Sequence, residues 1–365
     1  MKNIIAFITI HVGTNFGSNL QTIATNKVLK KLGYESICVN YIPPRVSFQR
    51  FWSLGNTSLP QKVFRIIWKL YCFPLFIANK RIYEGYLKRH CALSAPIYEK
   101  DDFAEKCPKA DVYMTGSDQS WNFKYNEGLD AHYFFDGIVG KKISYATSIG
   151  NDKLTQFEIE CFNKYLPEYA SLSVREKSAR DLFKQLGFQA QHLIDPTFML
   201  NCEEWKKYMS PRLVKDKYIL VYIPYNITDK TLMYKSIRKI ANNENLKVIT
   251  FSWNYWGDKY ADKTFRFANP GDFLSLMYYA ECVVTNSFHG TAFSINLNKR
   301  FWVYLPSGFS TRIISLLDLC GLQDRLLENE IQDKQRVEDI DYAIVNKILE
   351  AEREKSIIYL KEALQ

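Results

Sequence analysis

Cys282-Val283-Val284-Thr285-Asn286-Ser287-Phe288-His289-Gly290-Thr291-Ala292-Phe293-Ser294-Ile295-Asn296-Leu297 is the stretch from which the fold is read. Cys282–Thr285 is a short apolar, β-branched run of the kind that forms a buried strand. A polar turn follows, and then an apolar helix over Ala292–Leu297. His289 therefore falls at a helix start, where the positive end of the dipole favours a neutral imidazole or a bound anion. An isolated histidine is most often a satisfied core residue. This one stands between Ser287 and Gly290 at the carboxyl end of a strand, where ligands collect in open α/β sheets, and that position points to function. His11, His90, His132 and His192 lack such company.

Outward from this unit the same alternation recurs. Strands are expected over 4–10, 36–41, 111–115, 143–146, 171–174, 192–194, 218–223, 247–252 and 301–304. Helices are expected over 19–32, 154–166, 176–186, 230–243 and 272–279, with one or two long amphipathic helices over roughly 337–363. Strand, helix, strand over 365 residues argues an α/β protein with two parallel sheets, and the length exceeds what one core usually serves. The division expected is residues 1–165, residues 166–335, and C-terminal helices 336–365 returning to the first domain.

Three further loops carry chemistry. Gly13-Thr14-Asn15-Phe16-Gly17-Ser18-Asn19 opens a helix and can offer backbone N–H groups to an anion or hydroxyl, although a tight turn needs the same glycines. Gly116-Ser117-Asp118-Gln119-Ser120-Trp121-Asn122 packs a carboxylate, two amides and an indole into one turn. That set suits sugar hydroxyls, with Trp121 either a stacking face or a buried plug. Arg175-Glu176 follows the 171–174 run at a helix start, where an arginine can grip a carboxylate or phosphate with two hydrogen bonds or simply pair with its neighbour.

Composition limits the function classes. Eight cysteines without a CxxC pair or metal-like spacing read as reduced core thiols, and no cleavage site follows the apolar start, so a cytoplasmic protein is expected. Between Arg45 and His90 stand nine Lys or Arg against one acid, Glu84, a net of +8 out of the chain's +9. Aromatic residues interleave with them. Lys62, Arg65 and Lys69 fall on one side of a helix and Val63, Ile66, Ile67 and Leu70 on another. This pattern suits an interfacial helix on an anionic membrane or a helical insert packed on its domain, and Arg65, Lys69 and Pro74 interrupt it too much for a span. No nucleic-acid-binding motif is present, so nucleic acid is not an expected partner.

Together, Asn15–Gln21, Gly116–Asn122, Ser144–Gly150, Ser173–Glu176, Asp195-Pro196-Thr197 and Thr285–Ser294 resemble the polysaccharide pyruvyl transferase family, over about Asn3 to Arg325. The resemblance implies two Rossmann-like domains facing a cleft, as in the GT-B glycosyltransferases, and phosphoenolpyruvate as donor to a glycan or lipid-linked oligosaccharide. His289 is then the acid/base and Arg175 the donor-anion ligand. Ser287, Phe288, Gly290 and Arg312 stand on the donor side, with Lys299 and Arg300 as further cations. Asn15, Gly17, Asn19, Asp118, Gln119, Trp121 and Asn122 stand on the acceptor side. Residues 45–100 depart from the shared pattern. Neither a metal nor another cofactor is expected. A nucleotide-sugar glycosyltransferase on the same fold is the rival enzyme, although Cys282–Leu327 offers no Glu and only Asp318 and Asp324 to hold a ribose. A glycan-binding protein without turnover is the non-enzymatic rival.

Overall fold

The computed structural model describes residues 3–54, 58–99, 101–227, 230–252, 257–306, 310–327 and 340–365. The first half of the chain gives β1 (Ile4–Ile8), β2 (Glu35–Cys38), β3 (Tyr41–Ile42), β4 (Ile97–Tyr98), β5 (Val112–Thr115), β6 (Lys141–Ser144), β7 (Tyr169–Val174) and β8 (Ala190–His192). Six of these form one sheet in the order β2-β1-β5-β6-β7-β8, and β3 pairs β4 beside it. The second half gives β9 (Tyr218–Tyr222), β10 (Lys247–Ser252), β11 (Lys263–Arg266), β12 (Cys282–Thr285), β13 (Arg300–Tyr304) and β14 (Leu326–Leu327), in the order β11-β10-β9-β12-β13-β14. Every pairing is parallel. The second order is that of a dinucleotide-type Rossmann sheet. In each sheet the strand order reverses beside the first strand, β1 against β5 and β9 against β12, which opens a crevice at the carboxyl ends.

Strands buried on both faces read as continuous apolar runs, and β5, β9 and β12 are buried at every position. The edge strand β11 escaped the reading of apolar runs, because Lys-Thr-Phe-Arg carries a cation at each end and is at most half-buried.

The expected division at residue 165 is wrong. β7 continues the first sheet, pairing Ile143 with Ser171, and β8 adds to it through Leu172 and Ala190. The chain changes sheet between His192 and Tyr218, so Arg175 belongs to the first domain. Spacing along the chain identifies strands but not the sheet each one joins.

The halves share a core. Phe16, at the start of the Phe16–Lys31 helix, stacks on Tyr83 and Phe273 and lies against Tyr222 and Phe251 of the second domain. The C-terminal helix Tyr342–Leu364 spans both halves: the Tyr359 hydroxyl donates to Ser144 O at 2.7 Å, and Arg353 donates to Phe198 O at 2.6 Å and Asn296 Oδ1 at 3.0 Å. The expected helix start near Val337 and the division at 335/336 lie outside the described residues.

The basic insert forms the Leu59–His90 helix, which runs on through Pro74. Beyond that proline, Leu75, Asn79, Tyr83, Tyr86 and Leu87 are buried at helical spacing against the domain. Before it, the helix projects. Leu59, Phe64 and Ile67 are 76, 68 and 62% exposed, and Val63, Ile66, Trp68, Leu70 and Tyr71 are exposed as well. No helix among the described residues is long and apolar enough to cross a membrane.

Candidate active site

Five loops at strand carboxyl ends meet between the sheets, following β1, β5, β7, β8 and β12. After β1, the Asn15 side chain caps the Phe16–Lys31 helix, accepting from Ser18 N at 3.2 Å. Two residues into the motif, Gly17 touches the second domain: a Cβ built on it would stand 2.2 Å from His289 Cγ. Only a residue without a side chain lets the two helix starts approach this closely. Gly290 has the same use within the second domain, where a Cβ would stand 2.2 Å from Thr285 Oγ1.

After β5 the chain turns through Asp118, a non-glycine residue at φ 75°. Such a conformation is costly and must be over-determined by its surroundings. Ser120 N donates to Asp118 O at 2.8 Å, Ser18 Oγ donates to Asp118 Oδ2 at 2.8 Å, and two guanidiniums approach Oδ1, Arg175 Nη2 at 3.6 Å and Arg312 Nη1 at 4.0 Å.

Asp195, following β8, is the hub. Its Oδ2 accepts from Arg175 Nη1 at 2.5 Å and Ser117 Oγ at 2.8 Å, and its Oδ1 accepts from Thr197 N and Oγ1 at 2.9 and 2.7 Å. His289 Nε2 stands 3.8 Å from the same Oδ2, beyond hydrogen-bond reach, and finds no other hydrogen-bond partner among the described residues. Among the described residues Arg175 Nε and Nη2 likewise lack hydrogen-bond partners, with Nη2 3.6 Å from Asp118 Oδ1. Phe288 lies beneath the cations, with the Arg175 guanidinium 4.2 Å and that of Arg312 5.8 Å from its ring centroid. Arg175 and His289 are each 4% exposed.

The electrostatics follow from this packing. Burial opposes ionisation of Asp195, yet the His289 imidazole and the Arg175 charge outweigh it and hold the carboxyl well below the usual carboxylate range. Asp118 is also held low, against its burial, by His289, Arg175 and Arg312. Glu176 goes the other way. Its burial outweighs Arg175 and the hydrogen bond from Ser148, and its carboxyl is pushed up.

The structure thus brings Gly17, Asp118, Arg175, Ser287, Phe288, His289 and Arg312 together. Ser287 begins the Phe288–Asn296 helix, its N–H donating to Thr285 Oγ1 at 3.1 Å. Trp121 is not an acceptor platform: it is 1% exposed, stacks on Phe134 at 5.3 Å and donates its indole N–H to Tyr133 O, so the indole plugs the first core. Gln119 and Asn122 hold their own loop, Asn122 Nδ2 donating to Gln119 Oε1 at 2.7 Å. Asn19 donates to His11 O at 3.0 Å and lines a neighbouring cavity. Lys299 and Arg300 lie at the wrong end of β13, tied to Tyr278 O and Glu244. Sequence reasoning missed Asp195, Ser117 and Ser18 as site residues. Asp195-Pro196-Thr197 stands out in the sequence only as a motif with no role assigned to its carboxylate; Asp195 caps a short helix, and only the tertiary fold adds Arg175 to that carboxylate.

No curated protein matches the sequence. Among solved structures, MnaA of S. aureus with UDP aligns over 100% of this chain and 97% of its own at 12% identity, with a TM-score of 0.52. The UDP-GlcNAc 2-epimerase of Methanocaldococcus jannaschii aligns over 96% and 92% at 11% identity with a TM-score of 0.48. The glycosyltransferase SnogD of Streptomyces nogalater aligns over 98% and 95% at 10% identity with a TM-score of 0.44. At such identities the first of these likenesses speaks for the fold alone, two Rossmann-like halves in a GT-B-like arrangement. The polysaccharide pyruvyl transferase family model matches residues 15–307, a span that takes in the loops after β5, β7, β8 and β12, and the chain belongs to that family.

Proposed function

We propose that the chain transfers the pyruvyl group of phosphoenolpyruvate to two hydroxyls of a glycan sugar as a ketal, with His289 as the acid/base. The observation that carries this is the pair of buried guanidiniums, Arg175 and Arg312, over Phe288, beside an imidazole nitrogen without a hydrogen bond among the described residues. Phosphoenolpyruvate has two anionic groups, a carboxylate and a phosphate, and two planar forks suit them.

The atoms balance with one shuttling proton. His289 delivers a proton to the terminal methylene carbon of the enol, making a methyl group, and the first sugar hydroxyl bonds to the carbon bearing the phosphate and returns its proton to the imidazole. The second hydroxyl then bonds to the same carbon, phosphate leaves with the bonding pair, and the second proton leaves with it. Asp195 orients Arg175 by accepting from its Nη1 at 2.5 Å. Because the cations are arginines already in place, turnover is expected to persist in a chelator.

The acceptor side lies in the first domain, next to the projecting helix. At 100° per residue, Leu59, Val63, Phe64, Ile66, Ile67, Trp68, Leu70 and Tyr71 cover an apolar arc of roughly 200°. Lys62, Arg65 and Lys69 share the remaining side, where Arg65 donates to Leu54 O at 2.6 Å and Lys69 to Ser53 O. So wide an exposed apolar arc on a basic segment supports peripheral contact with an anionic membrane.

The test of the reaction is incubation with phosphoenolpyruvate and a panel of glycans. Phosphate release with a product heavier by one pyruvyl ketal is expected. Consumption of a nucleotide sugar with phosphoenolpyruvate ignored rejects the reading in favour of a glycosyltransferase. Vesicle flotation tests the membrane contact: binding is expected with anionic lipid at low salt, and equal recovery of a Lys62/Arg65/Lys69→Glu variant rejects it.

A further inference from the structure

Between the projecting helix and the loop after β1 lies a cavity of about 330 Å³, walled by Gly13, Thr14, Arg45, Arg50, Phe51, Phe76 and Lys80 among others. It belongs to none of the contacts described for the active site. One wall is aromatic, with the Phe51 and Phe76 rings stacked at 4.4 Å. That wall runs without a break into Phe73, Trp52 and Phe48, whose ring centroids are 5.5 to 6.2 Å apart, and so toward the exposed turns of the helix. The Gly13–Thr14 loop also lines the cavity, and it leads directly into Asn15 and to Gly17 against His289.

The polar lining is cationic. Arg50 pairs with Glu127 at 2.9 Å and Lys80 with Glu84, itself part of the lining, at 3.6 Å. Arg45 differs from them. Among the described residues no carboxylate lies within ion-pair distance of it; it donates to Asn126 Oδ1 at 3.2 Å and to the Tyr133 hydroxyl at 3.5 Å, and its guanidinium stands 4.5 Å from the Tyr125 ring centroid. It also lies close enough to the active site to feel the charge of Asp118. A half-buried cation held by neutral partners, beside an apolar wall that opens onto an apolar surface, is complementary to a ligand with an anionic group at the base of a hydrocarbon chain.

We infer that this cavity is the subsite for the linker of a lipid-carried acceptor: a sugar joined through a phosphate or diphosphate to a long hydrocarbon chain. The anionic linker sits at Arg45 and Lys80, the first part of the chain lies along Phe51 and Phe76, and the sugar continues past Gly13 and Thr14 toward His289. This deepens the proposed function by giving the linker of a lipid-carried acceptor a binding place, and it rests on that reading for what is then done to the sugar.

The experiment measures binding and needs no turnover. The intrinsic tryptophan fluorescence of the whole chain, with Trp52 on the aromatic wall, is titrated with farnesyl diphosphate below its micelle concentration, and separately with inorganic pyrophosphate and farnesol. Farnesyl diphosphate is expected to bind at least about tenfold more tightly than either fragment, and Arg45→Gln and Lys80→Gln each to weaken it about tenfold, as loss of a charge-assisted contact does. Circular dichroism of each variant verifies its fold, and the two substitutions are independent, so a failure of one to fold leaves the other decisive. Farnesyl diphosphate binding no better than its fragments, or binding unchanged in the folded variants, overturns the inference. Failure to transfer pyruvyl groups would overturn the proposed reaction and leave this binding intact, so the two are separable.

Discussion

The active site and the projecting helix invert the usual arrangement of a soluble protein, the one with charges inside and the other with hydrocarbon outside. Asp118, Arg175, Asp195, Glu176 and Arg312 are buried together, while eight large apolar residues between Leu59 and Tyr71 face outward. Each region is a debit against folding. Buried ions carry a desolvation penalty that pairing offsets only in good geometry, and an exposed apolar arc forfeits burial that costs nothing to obtain elsewhere. What separates them is satisfaction: the ions meet opposite charges within the molecule, and the helix leaves its apolar arc exposed.

Substitutions sharpen that contrast. The largest expected effect is on turnover: His289→Ala should lower kcat by about two to four orders of magnitude with the fold retained, measured as phosphate release from phosphoenolpyruvate. A decrease of less than tenfold would break the assignment. Arg175→Lys should lower kcat/KM by about two orders, because a point-charge ammonium cannot reproduce a planar fork shared between Asp195 and a ligand. Gly17→Ala drives a methyl group into His289. It should reduce activity more than tenfold while destabilising the protein by about 1–3 kcal/mol in urea unfolding, as overpacking does.

The buried ions also predict a pH dependence. The Asp195 and Asp118 carboxyls have folded pKa values depressed below the unfolded ones. Their contribution to stability is therefore full above the ordinary carboxylate value, about 3.9, and is lost as pH falls from there toward the folded values. Denaturation midpoints between about pH 5 and pH 2 should decline less steeply for Asp195→Asn than for the parent chain. Equal slopes would mean that this carboxylate is not the linked group. The smallest effect belongs to the helix, where Ile67→Ser should change stability by no more than about 0.5 kcal/mol. A larger loss would show that the arc packs against the protein.

The same contrast explains what was legible in the sequence. β5, β9 and β12 announce themselves as apolar runs, and the loops behind β7 and β12 pointed to Arg175 and His289 because strand ends are where α/β sheets place ligands. The helix was legible too, since charge and apolar positions separate at 3.6 residues per turn, although its continuation through Pro74 was not: a helix that packs well beyond a proline tolerates the lost hydrogen bond. Asp195 was visible as part of a motif but its role was hidden, because its bond to Arg175 joins the ends of separate strands. Trp121 was ambiguous between platform and plug, and the ring of Phe134 that decides it lies thirteen positions on. The sheet change after β8 depends on which edge a strand joins, a property of the whole fold.

Gly17 against His289 has a thermodynamic side. The contact couples the two halves at the point where a ligand would bind, and Phe16 next to it holds them with four aromatic neighbours. A donor that must part this contact binds with an apparent dissociation constant equal to the intrinsic one divided by the fraction of molecules already parted. Under the proposed reaction, the affinity measured for the donor would then be set by Gly17 and Phe16 as well as by the arginines proposed to bind it. Loosening Phe16 should tighten binding even as it weakens the fold, a sign reversal that no direct contact would produce.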